Sequence, residues 1–232
     1  MKKKIIFLKF KKIKMEKFSN THGQIYNHRA DFTMKVMNFV GLAFAVTAAG
    51  TWLAPFILPA NFPYFLIFIA ELALVFTARI WAQWARPGNI LMFCGFAFLS
   101  GLTLFPLLNY ALQIGGHQLI FQALFATVAL AFSAGIYART TSRDLSGIGG
   151  FLMIALIGLI IVGILQIFWF SSIVEMIAAG VGVVLFSAFI AYDIQMLERF
   201  PRDRAIEAAI GLYLSIFNLF TSVLRLLIAL RD

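Results

Sequence analysis

The sequence predicts an all-α integral membrane protein with seven transmembrane helices and no soluble domain. Of its 232 residues, 62% are hydrophobic and only 12% charged, whereas a soluble domain of this size carries about 25% charged residues. The mean hydropathy is +0.91. Apolar runs of about 20 residues, the length that crosses a hydrocarbon core of about 30 Å, recur between chemically sensible breaks.

Residues 1–33 read as a basic cytoplasmic arm and 34–232 as the transmembrane domain. The opening MKKKIIFLKFKKIK has a charged start, but its apolar core Ile5–Leu8 is too short for a signal peptide. It suits a segment lying on anionic lipid, and a start at Met15 or Met34 would account for it equally. The spans then follow at approximately 34–54, 63–84, 89–111, 118–138, 148–170, 173–197 and 207–229. Pro55, Pro59, Asn61 and Pro63 end the first, and Pro87-Gly88-Asn89 separates the second from the third. Gly115-Gly116 turns the third into the fourth. The polar, glycine-rich stretch Arg139 to Gly150 precedes the fifth, two serines (Ser171, Ser172) and Glu175 mark the start of the sixth, and Pro201 precedes the last.

Charge sets the orientation. Every one of the 19 basic residues except Arg225 and Arg231 falls in or next to the N-terminal tail or the second, fourth and sixth loops, so the positive-inside rule puts the N-terminus inside and the C-terminus outside. A re-entrant last helix would instead leave six spans and both ends inside. The net charge of +9 is a tail rather than a basic face, which argues against nucleic-acid binding. All nine lysines fall between Lys2 and Lys35, so none lies deep in a span and a retinal Schiff base is excluded. One cysteine, Cys94, and three scattered histidines leave no thiol or imidazole metal site and no cofactor.

Ionisable groups inside lipid are costly and invite functional hypotheses. The candidates are Glu71, Arg79, Asp193 and Arg225. Asp193 and Arg79 lie about one turn from the inner ends of the sixth and second spans, so they match in depth and would pair if those helices are neighbours; otherwise each reaches separately to the interface. Glu175 is expected at the outer interface. In the last span Gly211, Ser215, Asn218, Ser222 and Arg225 recur at helical spacing and form one small, polar face. Such a face should meet other helices or a water-filled path.

Several motifs resemble those of the Bax inhibitor-1 family. Ala191-Tyr192-Asp193-Ile194-Gln195 is similar to its A-Y-D-x-Q signature, and Gly211 to Phe220 with Leu224-Arg225-Leu226-Leu227 resembles its last helix. Thr141 to Ser146 with Gly149-Gly150-Phe151-Leu152 resembles its fourth-to-fifth loop, and Gly101-Leu102-Thr103-Leu104 a stretch of its third helix. The resemblance runs from about Val36 to Leu230. It implies seven helices with the last surrounded by the others, and a slow, pH-sensitive calcium leak. It further implies a pair of aspartates, one in the sixth and one in the seventh helix, that share a proton near the cytoplasmic end. Asp193 matches the first; Ser215 stands in place of the second. A serine cannot repel a neighbouring carboxylate, so the pH response should be weakened or shifted. Glu71, the other carboxylate inside a span, lies about 12 Å deeper than Arg79 and should not touch Asp193.

Two functions compete on this reading. One is a leak or transport protein with Asp193, Ser215 and Arg79 at the gate and Ca2+ as cargo. The other is a non-conducting regulator that binds another membrane protein, such as a membrane-bound protease, and docks through the basic arm. An intramembrane hydrolase would need a metal cluster, a Ser–Lys dyad or two facing aspartates, so no enzyme is expected. A bacterial cytoplasmic membrane is the expected location.

Overall fold

The computed structural model describes residues 2–59 and 61–231, with side chains from residue 29 onward; the arm up to residue 28 lies outside the described side chains. Its elements are α1 (Lys2–Ile57), α2 (Phe65–Phe76), α3 (Ala78–Trp81), α4 (Gly88–Thr140), a short 3-10 turn η1 (Leu145–Ile148), α5 (Gly149–Phe168), α6 (Ser172–Met196) and α7 (Ala205–Ala229). Among the described residues there is no strand.

Seven crossings result. α1 is apolar from Arg29 to Ile57. The 12 residues of α2 would span only about 18 Å, so the second crossing also needs α3. The two are interrupted at Thr77, inside the predicted second span of 63–84. There the Trp81 indole N–H donates to the Leu74 carbonyl at 2.8 Å, so a side chain takes a carbonyl that a continuous helix would use, while the Thr77 hydroxyl adds a 2.7 Å bond to the Ala73 carbonyl, which keeps the Thr77 N–H. α4 holds two crossings. They part at Gly116, whose φ of 61° and ψ of −165° lie outside the helical region and suit a residue without Cβ; the predicted Gly115-Gly116 turn stands there.

α7 is the central helix. Fourteen of its 25 residues are buried, against Leu152 alone among the 20 of α5. The ring around it is uneven: α1, α4 and α6 pack directly on α7, while α2 leans on α4 and α5 on α6. The lipid-facing side of α5 carries Phe151, Ile154 and Ile167 well exposed.

Burying apolar surface gains little when the surrounding solvent is also apolar, so close packing and interhelical hydrogen bonds hold such bundles together. α1 and α4 touch backbone to backbone. A Cβ on Gly50 would strike the Phe98 carbonyl, and one on Gly101 the Thr47 carbonyl. That proximity lets the Thr51 hydroxyl donate to the Gly101 carbonyl at 2.9 Å and the Thr47 hydroxyl approach the Ala97 carbonyl at 3.0 Å.

Candidate functional site

Near its C-terminal end α6 presents Asp193 to α7. The Ser215 hydroxyl donates to Asp193 Oδ2 at 2.6 Å, so the two positions singled out by the signature and by the last-helix motif do meet. One turn earlier on α7, Gly211 leaves room for that carboxylate: a Cβ there would sit 3.6 Å from Oδ1. Ser222, further along the same face, packs on Gly182 of α6. Ser215 and Ser222 are buried, and Gly211 and Asn218 partly so. At Gly211, Ser215 and Ser222 the small polar stripe is thus a seam between α6 and α7.

The rest of the signature ties α6 to the loop after α4. Gln195 accepts from the Leu145 N–H at 2.6 Å and donates through Nε2 to the Arg143 carbonyl at 3.0 Å. Tyr192 packs against Gly149, where a Cβ would crowd its hydroxyl. Arg199 pairs with Asp144 at 3.0 Å. The Arg199 hydrogen bond, helped by the Ser146 backbone N–H, holds the Asp144 carboxyl down at about 2.

Arg79 does not pair with Asp193. It stands 3.9 Å from Glu207, which also lies 3.6 Å from Arg204. The second crossing packs on α4 rather than on α6, and the first turn of α7 brings Glu207 to Arg79 instead. Matching depth therefore does not make neighbours. Arg225 leaves the buried part of the stripe: half exposed, it meets Glu175 at 3.3 Å at the opposite end of α6. Glu175, expected to need no explanation at the interface, is thus a tie between α6 and α7.

A second polar cluster occupies the other side of α7. The Tyr213 hydroxyl lies 2.7 Å from Thr47 Oγ1, while Thr47 itself reaches the Ala43 and Ala97 carbonyls. With one proton on each hydroxyl, the consistent arrangement has Tyr213 donating to Thr47 and Thr47 donating to a carbonyl. Phe44, Phe96 and Phe217 surround the Tyr213 ring at 5.1–5.8 Å between centroids. Glu71 is buried and accepts from the Thr103 hydroxyl of α4 at 3.0 Å, so it is tied to α4 rather than to Asp193.

The roles of Glu207, Gln195 and Tyr213 escape the sequence analysis. Gln195 and Tyr213 stand inside the quoted motifs, which carry no information about their partners. Among the described residues no group of three or more His, Cys, Asp or Glu is placed to hold a metal ion. The chemistry at the α6–α7 junction is that of one carboxylate and one hydroxyl. Because a hydroxyl can both donate and accept, the Asp193–Ser215 bond can form with the carboxyl in either protonation state.

Comparison with known proteins shows the family. The family model described as "Inhibitor of apoptosis-promoting Bax1" matches residues 29–232. A protein of Campylobacter jejuni is 35% identical over 176 residues, covering 75% of this chain and 76% of its own. A Helicobacter pylori protein is 37% identical over 161 residues, 69% of each chain. A membrane protein of Streptococcus pyogenes is 31% identical over 213 residues, covering 84% of this chain and 91% of its own. With its motifs joined at the α6–α7 junction and the match spanning every crossing, the chain belongs to the Bax inhibitor-1 family of multi-pass membrane proteins.

Proposed function

We propose that this protein is a slow calcium leak of a bacterial cytoplasmic membrane, with its N-terminus inside and its gate at the Asp193–Ser215 contact. The observation that carries the reading is the 2.6 Å hydrogen bond closing α6 onto α7, where the family resemblance places the aspartate pair. The concentration of arginines at that end of the bundle supports the orientation.

Two aspartates in contact must share a proton or repel, which makes the contact depend on pH. Serine removes that dependence, since its hydroxyl bridges to Asp193 whether or not the carboxyl is ionised. The gate of this member is therefore held shut over a wide pH range, and its leak is less pH-sensitive than one gated by two carboxylates. Ca2+ enters as cargo, with Asp193 as its one acidic partner at this contact, and no catalytic step is involved.

Serine at position 215 also favours a second reading, a non-conducting regulator that binds another membrane protein. Calcium flux into dye-loaded proteoliposomes between about pH 6 and pH 8 separates the two. A leak that is shallow in pH, raised by Asp193→Ala, which removes the acceptor, and made steeply pH-dependent by Ser215→Asp supports the channel. Silence of all three proteins defeats it and leaves the regulator.

A further inference from the structure

We propose that the cavity between the Arg29–Phe32 turn of α1 and the α6–α7 loop binds the phosphodiester headgroup of an anionic membrane lipid. The cavity has a volume of about 420 Å3, and its lining includes Arg29 and Phe32 of α1 and Leu197, Glu198, Arg199 and Arg202 beyond the end of α6. That size lies in the range of small-molecule sites.

Its charges select the ligand. Arg199 is already neutralised by Asp144 at 3.0 Å. Arg29 and Arg202 are exposed, and among the described residues neither has an ion-pair partner. Guanidinium groups match phosphate oxygens in geometry and give up their hydration more readily than ammonium groups. Glu198 contributes one negative charge, so two free cations and one anion leave the site a single positive charge. That balance suits a phosphodiester, which carries one negative charge, better than a phosphomonoester, which carries nearly two.

Its floor selects the source. Phe32 and Leu197 are buried at 6% and 7% exposure and give the cavity an apolar base beneath a cationic rim. The site lies where the apolar run of α6 gives way to the charged loop, which is the depth of the headgroups. A lipid entering sideways would set its glycerol on the apolar floor and its phosphate between Arg29 and Arg202. In that position it would tie α1 to the loop that leads into α7.

The test is lipid binding to the full chain in detergent, followed by native mass spectrometry and by thermal unfolding. Phosphatidylglycerol should bind and stabilise, and phosphatidylcholine should do neither. Arg29→Gln and Arg202→Gln should each weaken phosphatidylglycerol binding about fivefold, whereas Glu198→Gln should tighten it and Arg139→Gln, outside the cavity, should leave it unchanged. Glycerol 3-phosphate and inorganic phosphate should fail to displace the lipid. The proposal is overturned if the Arg29→Gln/Arg202→Gln double variant, shown folded by circular dichroism, keeps full binding, because the lysine-rich tail would then be holding the lipid. Equal binding of phosphatidylcholine also overturns it, as does displacement by either soluble phosphate, which would make this a site for a free anion. The Glu198→Gln gain cannot arise from misfolding and keeps the test decisive if an arginine variant is unstable.

Discussion

Replacing Ser215 by alanine removes one oxygen from the α6–α7 seam and leaves Asp193 without the donor that stands 2.6 Å away. The steric consequence is small, since a hydroxyl is lost and no large cavity opens. The electrostatic one decides the outcome. Hydrogen bonds to ionised groups contribute about 1.5–3 kcal/mol in soluble proteins, but interhelical polar contacts in membranes average about 0.6 kcal/mol and reach about 1.7. Asp193 is only partly buried and lies close to the end of its helix, so the membrane figure governs and its upper half applies to so short a bond. Ser215→Ala should therefore destabilise the bundle by about 1–1.7 kcal/mol. Combined with Asp193→Ala in a double-mutant cycle, measured by reversible unfolding in mixed detergent micelles, it should show a coupling of about 1 kcal/mol. Simple additivity, with a coupling below about 0.3 kcal/mol, would refute the claim that this bond closes the seam.

Two further outcomes follow from contacts elsewhere. Gly101→Ala would drive a Cβ into the Thr47 carbonyl and the Thr51 backbone nitrogen, so α1 must move off α4. The expected loss is about 1–3 kcal/mol, read by the same unfolding assay, while Gly41→Ala, which meets nothing within 4 Å, should be neutral or slightly stabilising. Asp144 is held at about 2, below the usual 3.8. A depressed carboxylate contributes its full share above the unfolded value and loses it as pH falls through the folded one, so the 141–148 loop should loosen as pH drops from about 4 to about 2. Hydrogen exchange of that loop reads the change, and in Arg199→Gln the loosening should already be present at neutral pH.

The sequence shows those features that come from local chemistry. Gly115-Gly116 reads as a turn because paired glycines between apolar runs have little other use, and α7 reads as an interior helix because a small polar face does not choose lipid. The break at Thr77 lies in an apolar run without glycine or proline; it is marked by an indole folded back from Trp81 onto the Leu74 carbonyl. Nothing in periodicity reports such a bond. Arg79 shows the same limit at the site. Its depth is legible along the chain, but its neighbour depends on which helix stands beside it. Lateral order in the membrane is set by close approaches such as Gly50 on Gly101 and Gly182 on Ser222, which a single sequence does not pair. The contact between Asp193 and Ser215, by contrast, was reachable through the resemblance alone.

The placement of these ties limits how the bundle can open. Towards the Asp193 end, α6 is held by Ser215 on α7, by Gln195 on the 143–145 backbone and by Arg199 on Asp144. Towards the other end, Ser222 packs on Gly182 and Arg225 meets Glu175. The far face of α7 is anchored separately, through Tyr213 to Thr47 and thence to α1 and α4. Parting α6 from α7 near Asp193 breaks one short hydrogen bond within the bundle, while the anchor on α1 and α4 and the contacts at the far end survive. Of the ties at the Asp193 end, those to the loop also survive if α6 carries the loop and α5 with it, as the packing of α5 on α6 and η1 allows. A swing of α6, η1 and α5 away from a fixed α7, pivoting near Gly182, would spare these ties and would instead have to part α6 from the end of α4, where Ala191 and Ile194 pack on Ala134 and Ala138.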